Sequence, residues 1–295
     1  MRSVKIDDIF LEDLMNTSLL PDIFEYRCLT RKDDILNSQF LQELSQKINI
    51  DSLELEIYHN WFLIDNKYYY FKYHYIFEEL LMEKIFETFH VPCVRHKIVK
   101  NRGKIGIISE NFRKSHCEYK DYKSAIPNNI DCPLSIVRYN EIIKSEMNIF
   151  DYQYYLQLIS KIISIDILFG QFDHHAYNIM FEISDFNFRL APMFDNGNIF
   201  KEADYLNTYI FESCFGIFSF SLNDFYKDSH TIKIIQSFPE LNNSLEEALY
   251  FDLTKIFNLL EHDHQLEIYK KLRNQIQTYY DQHRKMIEKT LKLAR

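Results

Sequence analysis

Glycine is scarce, with five in 295 residues. So poor a supply leaves few places for tight loops whose backbone amides cradle phosphates. Cysteine is scarce too. The five, Cys28, Cys93, Cys117, Cys132 and Cys214, are odd in number, widely spaced and without a CxxC pair. They read as reduced intracellular thiols, not as a disulfide frame or a zinc site. Runs of basic residues are missing and the net charge is −9, which argues against direct binding of nucleic acid. No apolar run reaches the roughly 18 residues of a membrane span. The N-terminal stretch MRSVKIDDIFLEDLM carries acids through its apolar part, unlike a secretory signal. The expectation is a soluble, cytoplasmic protein, with delivery by a specialised secretion route left open.

What is present suits a buried core. Hydrophobic residues make up 46% of the chain and charged ones 26%, with 25 Phe and 21 Tyr. There is no internal repeat, low-complexity tract or Gly/Pro/Ser-rich linker, so a single domain over 1–295 is expected.

Periodicity divides that domain. Apolar residues at loose helical spacing predict helices over 7–20 and 33–48. Leu53–Tyr58 alternates as a half-buried strand does. Trp61–Ile64 and Tyr68–Tyr73 flank Asp65-Asn66-Lys67, a hairpin turn signal. Helical period returns over 75–90. Strands are predicted at Val91–Val99 and Ile105–Ile108 around Asn101-Arg102-Gly103, and a strongly apolar helix at Tyr152–Phe169. Short strands come next, near Ile179–Ile183 and Phe188–Ala191, and residues 240–295 read as helical. The fold class is therefore α+β. A small, sheet-rich lobe, 1–112, with a helical N-terminal extension precedes a helical lobe, 113–295, with a cleft between them.

The chemistry concentrates in DILFGQFDHHAYNIMFEISDFNFRLAPMFDNGNIF, from Asp166 to Phe200. Asp173, Asn178 and Asp195 each lie at the end of an apolar segment, where a loop emerges. Phosphoryl transfer needs a carboxylate to accept the proton of an attacking hydroxyl, and magnesium to neutralise phosphate charge. Mg²⁺ takes hard oxygen ligands such as Asp carboxylate and Asn carbonyl. D-x-x-x-x-N alone occurs by chance in many proteins; the ordered set is more specific. Adjacent His174 and His175 rarely chelate one ion, and no third ligand is evident. His262-Asp263-His264 reads as a solvated loop. The stripe Tyr68 to Phe71 reads as sheet core. Ser45, Ser52, Ser109 and Ser115 are undistinguished candidates for autophosphorylation.

Gly170-Gln171-Phe172-Asp173-His174-His175-Ala176-Tyr177-Asn178, followed by Ala191-Pro192-Met193-Phe194-Asp195-Asn196-Gly197, resembles the catalytic core of HipA-like serine/threonine kinases. The compact CtkA type is the nearest in pattern. The resemblance implies a two-lobed, protein-kinase-like fold, with ATP and magnesium as cofactors. It makes Asp173 the catalytic aspartate, Asn178 a magnesium ligand and Asp195 the principal one. By the same resemblance His175 is a structural histidine of the catalytic loop. Lys72, at the end of an aromatic strand, would meet the nucleotide phosphates. A lysine there is costly unless paired, and Glu78, Glu79 and Glu83 are candidate partners, of which the family's helix pattern picks Glu79. Ile107 to Phe112 resembles the family's hinge, so Glu110 and Phe112 would hold adenine through main-chain atoms. The landmarks run from Leu53 to Phe200. The tail matches loosely, at Tyr280-Asp281-Gln282-His283-Arg284-Lys285.

The chain departs from the pattern where a Gly- or Ser-rich phosphate loop belongs. That place reads Glu56-Ile57-Tyr58-His59-Asn60, which leaves His59 and Asn60 as the phosphate-side residues. The family's long N-terminal β domain has no counterpart. Three functions compete: an autophosphorylating serine/threonine kinase resembling toxins or delivered effectors, a pseudokinase binding module, and a small-molecule or lipid kinase on a related fold. The first implies ATP, a protein substrate, and an antitoxin or host protein as partners.

Overall fold

Ile64 pairs with Lys67, so Lys67 already belongs to the second strand and the hairpin turn is shorter than the sequence suggests. Asp65 has φ 48°, a left-handed angle that Asp tolerates better than most residues. The computed structural model describes residues 10, 20, 27–28, 61–65, 67–101, 103–114, 116–121, 143–145, 147, 149–171, 174, 178–184, 187–197, 199–200, 209–210, 220–221, 238–264, 268 and 270–294. The predicted helices over 7–20 and 33–48 and the strand Leu53–Tyr58 lie outside them, apart from Phe10, helical and buried, and Leu20.

Along the chain come β1 (Arg27–Cys28), β2 (Trp61–Ile64), β3 (Lys67–Lys72), α1 (Ile76–Thr88), β4 (His96–Asn101), β5 (Lys104–Glu110) and β6 (Glu118–Asp121). After them stand α2 (Ile149–Phe169), β7 (Met180–Ser184), β8 (Asn187–Leu190), β9 (Tyr209–Ile210), β10 (Phe220–Ser221), α3 (Pro239–Leu249), α4 (Leu253–His264) and α5 (Lys270–Ala294). They form two compact units: Met1–Ile76 with Val94–Phe112, and Phe77–Cys93 with Arg113–Arg295.

The first unit holds an antiparallel sheet in the order β1-β2-β3-β5-β4. One face buries Phe62, Ile64, Phe71, Val99 and Ile108, with Tyr69 and Tyr73 packed against them. Of the aromatic run only Phe71 is fully inside; Tyr68, Tyr69 and Tyr70 are half-buried. Gly106 lets β5 close on β3, because a Cβ there would lie 2.4 Å from the Phe71 ring and 2.6 Å from the Lys72 carbonyl oxygen. Ser109 is a poor phosphate acceptor site: it sits inside β5, opposite both Tyr70 and His96.

The second unit is built on α2. Tyr155, Ile159, Ile162, Ile163, Ile165, Ile167, Leu168 and Phe169 are buried along it. Its buried serines, Ser160 and Ser164, donate to the carbonyls of Leu156 and Ser160, which removes the cost of burying a hydroxyl. Phe169 meets Phe251 edge-on at 5.8 Å and stacks on Tyr280 of α5 at 5.9 Å. The Tyr280 hydroxyl donates to the carbonyls of Ala248 and Phe251. In this unit β7 lies between β6 and β8, around the buried Glu182 carboxylate. Glu182 accepts from Tyr119, Lys114 and Arg189, and these bonds hold its pKa below the ordinary value against the opposing effect of burial.

Two further expectations need correction. Val91–Arg95 is not a continuous strand, since pairing begins at His96 and this stretch contributes one parallel bridge, Cys93 to Met193. Pro92 has no N–H to give a ladder. The stretch His262-Asp263-His264 is not a loop; it is the end of α4, whose buried residues Leu253, Ile256, Phe257 and Leu260 keep helical spacing. Among the described residues no helix is long and apolar enough to cross a membrane.

Candidate active site

In the second unit the candidate site is built out from the end of α2. Gly170 takes φ 60°, and the next amide, Gln171 N–H, donates to the Asp166 carbonyl at 3.0 Å. That is a glycine-terminated helix end in which a turn satisfies a carbonyl the helix leaves open. The chain then leaves the helix in one fixed direction, and the Asp166 side chain, one turn back, meets His174 beyond that turn.

His174 and Asp166 are both entirely buried. His174 Nδ1 lies 2.8 Å from Asp166 Oδ2, and Nε2 lies 2.8 Å from Asn196 Oδ1. With both partners placed as acceptors, both ring nitrogens act as donors in this arrangement. Burial pushes the Asp166 carboxyl up despite the pull of His174. Burial also opposes the charge on His174, but the Asp166 carboxylate and the bonds to Asp166 and Asn196 outweigh it and raise its pKa. Both directions say that the pair keeps its proton. Asp166 Oδ1 has no hydrogen-bond partner among the described residues.

Asn196 is tied on three sides. Its side chain receives His174, its carbonyl accepts from Gln171 Nε2 at 2.8 Å, and its N–H donates to Glu79 Oε2 at 3.0 Å. The preceding segment is fixed as well, because Met193 N–H donates to the Pro92 carbonyl at 2.8 Å. Between these ties sits Asp195, exposed and at φ 56°. A left-handed backbone on a non-glycine residue costs energy and persists only where neighbours enforce it.

The predicted site residues divide between the two units. In the second, Glu79 is buried on α1 and reaches the residue after Asp195, and Asn178 is buried just before β7. Glu78 and Glu83 are also buried on α1. In the first, Lys72 ends β3 opposite Ile107, half-buried, with its ammonium 5.8 Å from the centre of the Tyr75 ring. Glu110 ends β5 opposite Tyr69, and Asn111 N–H donates to the Tyr68 carbonyl. Antiparallel pairing alternates, so the Glu110 carbonyl points away from β3. The Glu110 side chain is held by Lys67 at 2.8 Å and by the Tyr69 hydroxyl at 3.3 Å. Phe112 is half-buried. His59, Asn60, Asp173 and His175 lie outside the described residues. Among the described residues His174 has a structural role.

Sequence reasoning missed Asp166, Gln171 and Asn196. A signal existed for Asp166: one acid inside the apolar run Ile165 to Phe169 is expensive unless it has a partner. Among the described residues no group of three or more His, Cys, Asp or Glu is placed to hold a metal. Asp195 and Asn178, the ligands the motif implies, are by chemistry hard-oxygen donors of the kind Mg²⁺ takes.

The structure is similar to the crystal structure of the Helicobacter pylori proinflammatory kinase CtkA, with TM-score 0.56 and 16% sequence identity over 79% of this chain and 93% of that one. The fold is that of CtkA. A second similar structure is a chain of the Shewanella oneidensis MR-1 toxin–antitoxin complex of HipA, HipB and operator DNA. There the TM-score is 0.48 and the identity 14%, and the match spans 75% of this chain and 57% of that one. No protein-family model and no curated protein matches the sequence. The CtkA-like architecture accounts for the α+β class and for a small antiparallel sheet preceding a helical unit.

Proposed function

We propose that this chain is an ATP- and magnesium-dependent serine/threonine protein kinase of the HipA-like type, autophosphorylating and toxin- or effector-like. The observation that carries the reading is the bond from Asn196 N–H to Glu79 Oε2, across 117 residues of sequence. It joins the helix carboxylate and the metal-binding segment that the catalytic motif calls for, and no sequence proximity would do so.

In this reading Glu110 and Phe112 hold adenine through main-chain groups, and Lys72 meets the phosphates. His59 and Asn60 flank those phosphates from the glycine-poor loop. Asp195 and Asn178 would hold magnesium, which when bound neutralises phosphate charge. Asp173 accepts the proton of a Ser or Thr hydroxyl as its oxygen takes the γ-phosphoryl group and ADP leaves. The acceptor is a protein, the chain itself included, and an antitoxin or host protein is the regulatory partner. The place of action is the cytoplasm. The Cys93 thiol, pushed up to about 12 by burial, is an inert core group there.

The test is transfer of labelled γ-phosphate from ATP with magnesium, for the intact protein, Asp173→Ala and Asp195→Ala. Label on the intact protein, lost in both variants, is the expected result. ATP binding without transfer to itself or to added protein would favour a pseudokinase, and transfer to small molecules or lipids would favour that class. Absence of ATP binding would overturn the kinase reading.

A further inference from the structure

Asp195 carries the metal in the proposed function, yet its backbone sits at φ 56°, where an aspartate does not rest unaided. On its C-terminal side the backbone is held firmly. Asn196 is 1% exposed, and its N–H, its carbonyl and its side-chain amide oxygen each have a partner fixed elsewhere in the second unit. Two of those partners, Glu79 and Gln171, take main-chain groups. The third, His174, takes the side chain, and is itself locked by Asp166 on α2 and stacked on Phe86 of α1 at 6.3 Å.

We propose that His174 and Asn196 are positioning residues: the relay Asp166–His174–Asn196 sets the direction of the Asp195 carboxylate and so the protein's grip on nucleotide-bound magnesium. The proposal rests on the kinase reading. His174 occupies the variable position of the D-x-H-x-x-N motif, so the relay belongs to this chain's own sequence. The His174 and Asp166 side chains are fully buried. The relay acts through geometry. Without the His174 donors the Asn196 amide loses its anchor, and Asp195 relaxes toward an ordinary backbone angle that swings its carboxylate away from the metal. Adenine and phosphate contacts made by the first unit are untouched.

The experiment is calorimetric measurement of ATP affinity, in excess magnesium and again in EDTA, whose ratio reads the metal's contribution. His174→Phe keeps a ring against Phe86 and deletes both donors. Asn196→Ala deletes the side-chain link and leaves both main-chain bonds, so it serves where His174→Phe fails to fold. The expected result is a ratio lowered tenfold or more in His174→Phe and Asn196→Ala, with affinity in EDTA unchanged throughout. A ratio that stays at the parental value in both disruptive variants overturns the proposal and leaves the kinase reading standing. So does an equal fall with and without metal, which would mark a general loss of structure. A parent protein that binds ATP in neither condition overturns both.

Discussion

Lys84 of α1 and Asp263 of α4 form an ion pair that joins points 179 residues apart within the second unit. Lys84 is almost fully buried, and it also meets Glu83 at 3.2 Å and Glu87 at 3.0 Å. Its hydrogen bond lowers the pKa of Asp263, so that contribution is present above the ordinary carboxylate range and is lost as pH falls through it. Removing Lys84 takes a buried cation away from Glu83, Glu87 and Asp263 at once. Lys84→Ala should therefore cost about 3 kcal/mol or more. Asp263→Asn, at a partly hydrated carboxylate, should cost about 1 kcal/mol or less. Urea denaturation of the two variants checks the order, and equal costs would mean that Asp263 carries the whole interaction.

The C-terminal end of α1 carries a strained residue. His90 takes φ 56°, is exposed, and lies between Phe89 and Val91, whose N–H donates back to the Phe86 carbonyl at 2.8 Å. This is the same helix ending as at Gly170, made with a residue that has a Cβ. His90→Gly should stabilise the protein by about 0.5–1 kcal/mol, and Gly170→Ala should destabilise it by about 1 kcal/mol. Thermal melts of the pair should shift in opposite directions.

Gly106→Ala should cost about 1–3 kcal/mol, because the added methyl overlaps the Phe71 ring and the Lys72 carbonyl and the two strands have to part. A smaller side chain at 71 should relieve it. Gly106→Ala combined with Phe71→Leu should lose less than the sum of the single changes in urea midpoints.

His283 makes stability depend on pH. It is buried on α5, with Nδ1 3.1 Å from the Ile167 carbonyl and its ring stacked on Tyr279 at 4.3 Å. Burial lowers its pKa from 6.5 to about 4, only partly countered by the Ile167 bond. Between those values the unfolded chain binds a proton that the folded chain refuses. Stability from this group is complete above the unfolded value and falls as pH drops toward 4, by up to about 3 kcal/mol. Unfolding free energy measured from pH 4.5 to 7.5 should rise less steeply in His283→Gln than in the parent. Parallel curves would assign the slope to other groups.

Much of this was legible where period and turn chemistry agree. Asp65-Asn66 marked the hairpin between β2 and β3, and the apolar spacing of Leu156, Ile159, Ile163 and Ile167 marked α2. β6 was not legible. Its sequence, Glu118 to Asp121, is mostly charged, and it becomes a strand because Tyr119 and Lys114 reach Glu182 more than sixty residues on. No local pattern records a partner at that distance. The positions of Glu79, Asn178 and Asp195 came from a motif and not from periodicity. That His174 is buried against Asp166 and Asn196 is set by partners 8 and 22 residues away, and no local pattern records them.

The turn at Gly170 also gives α2 a fixed length. Asp166 reaches His174 from one side of the helix, and the Ile167 carbonyl receives His283 from α5. One residue inserted between these positions and the middle of α2 would rotate them by about 100° and advance them by about 1.5 Å relative to α3 and α5. Both attachments would then miss at once. This helix can therefore accept substitutions on its exposed side, but an insertion or deletion in its last three turns should be tolerated only in whole-turn steps, with matching changes in the neighbouring helices.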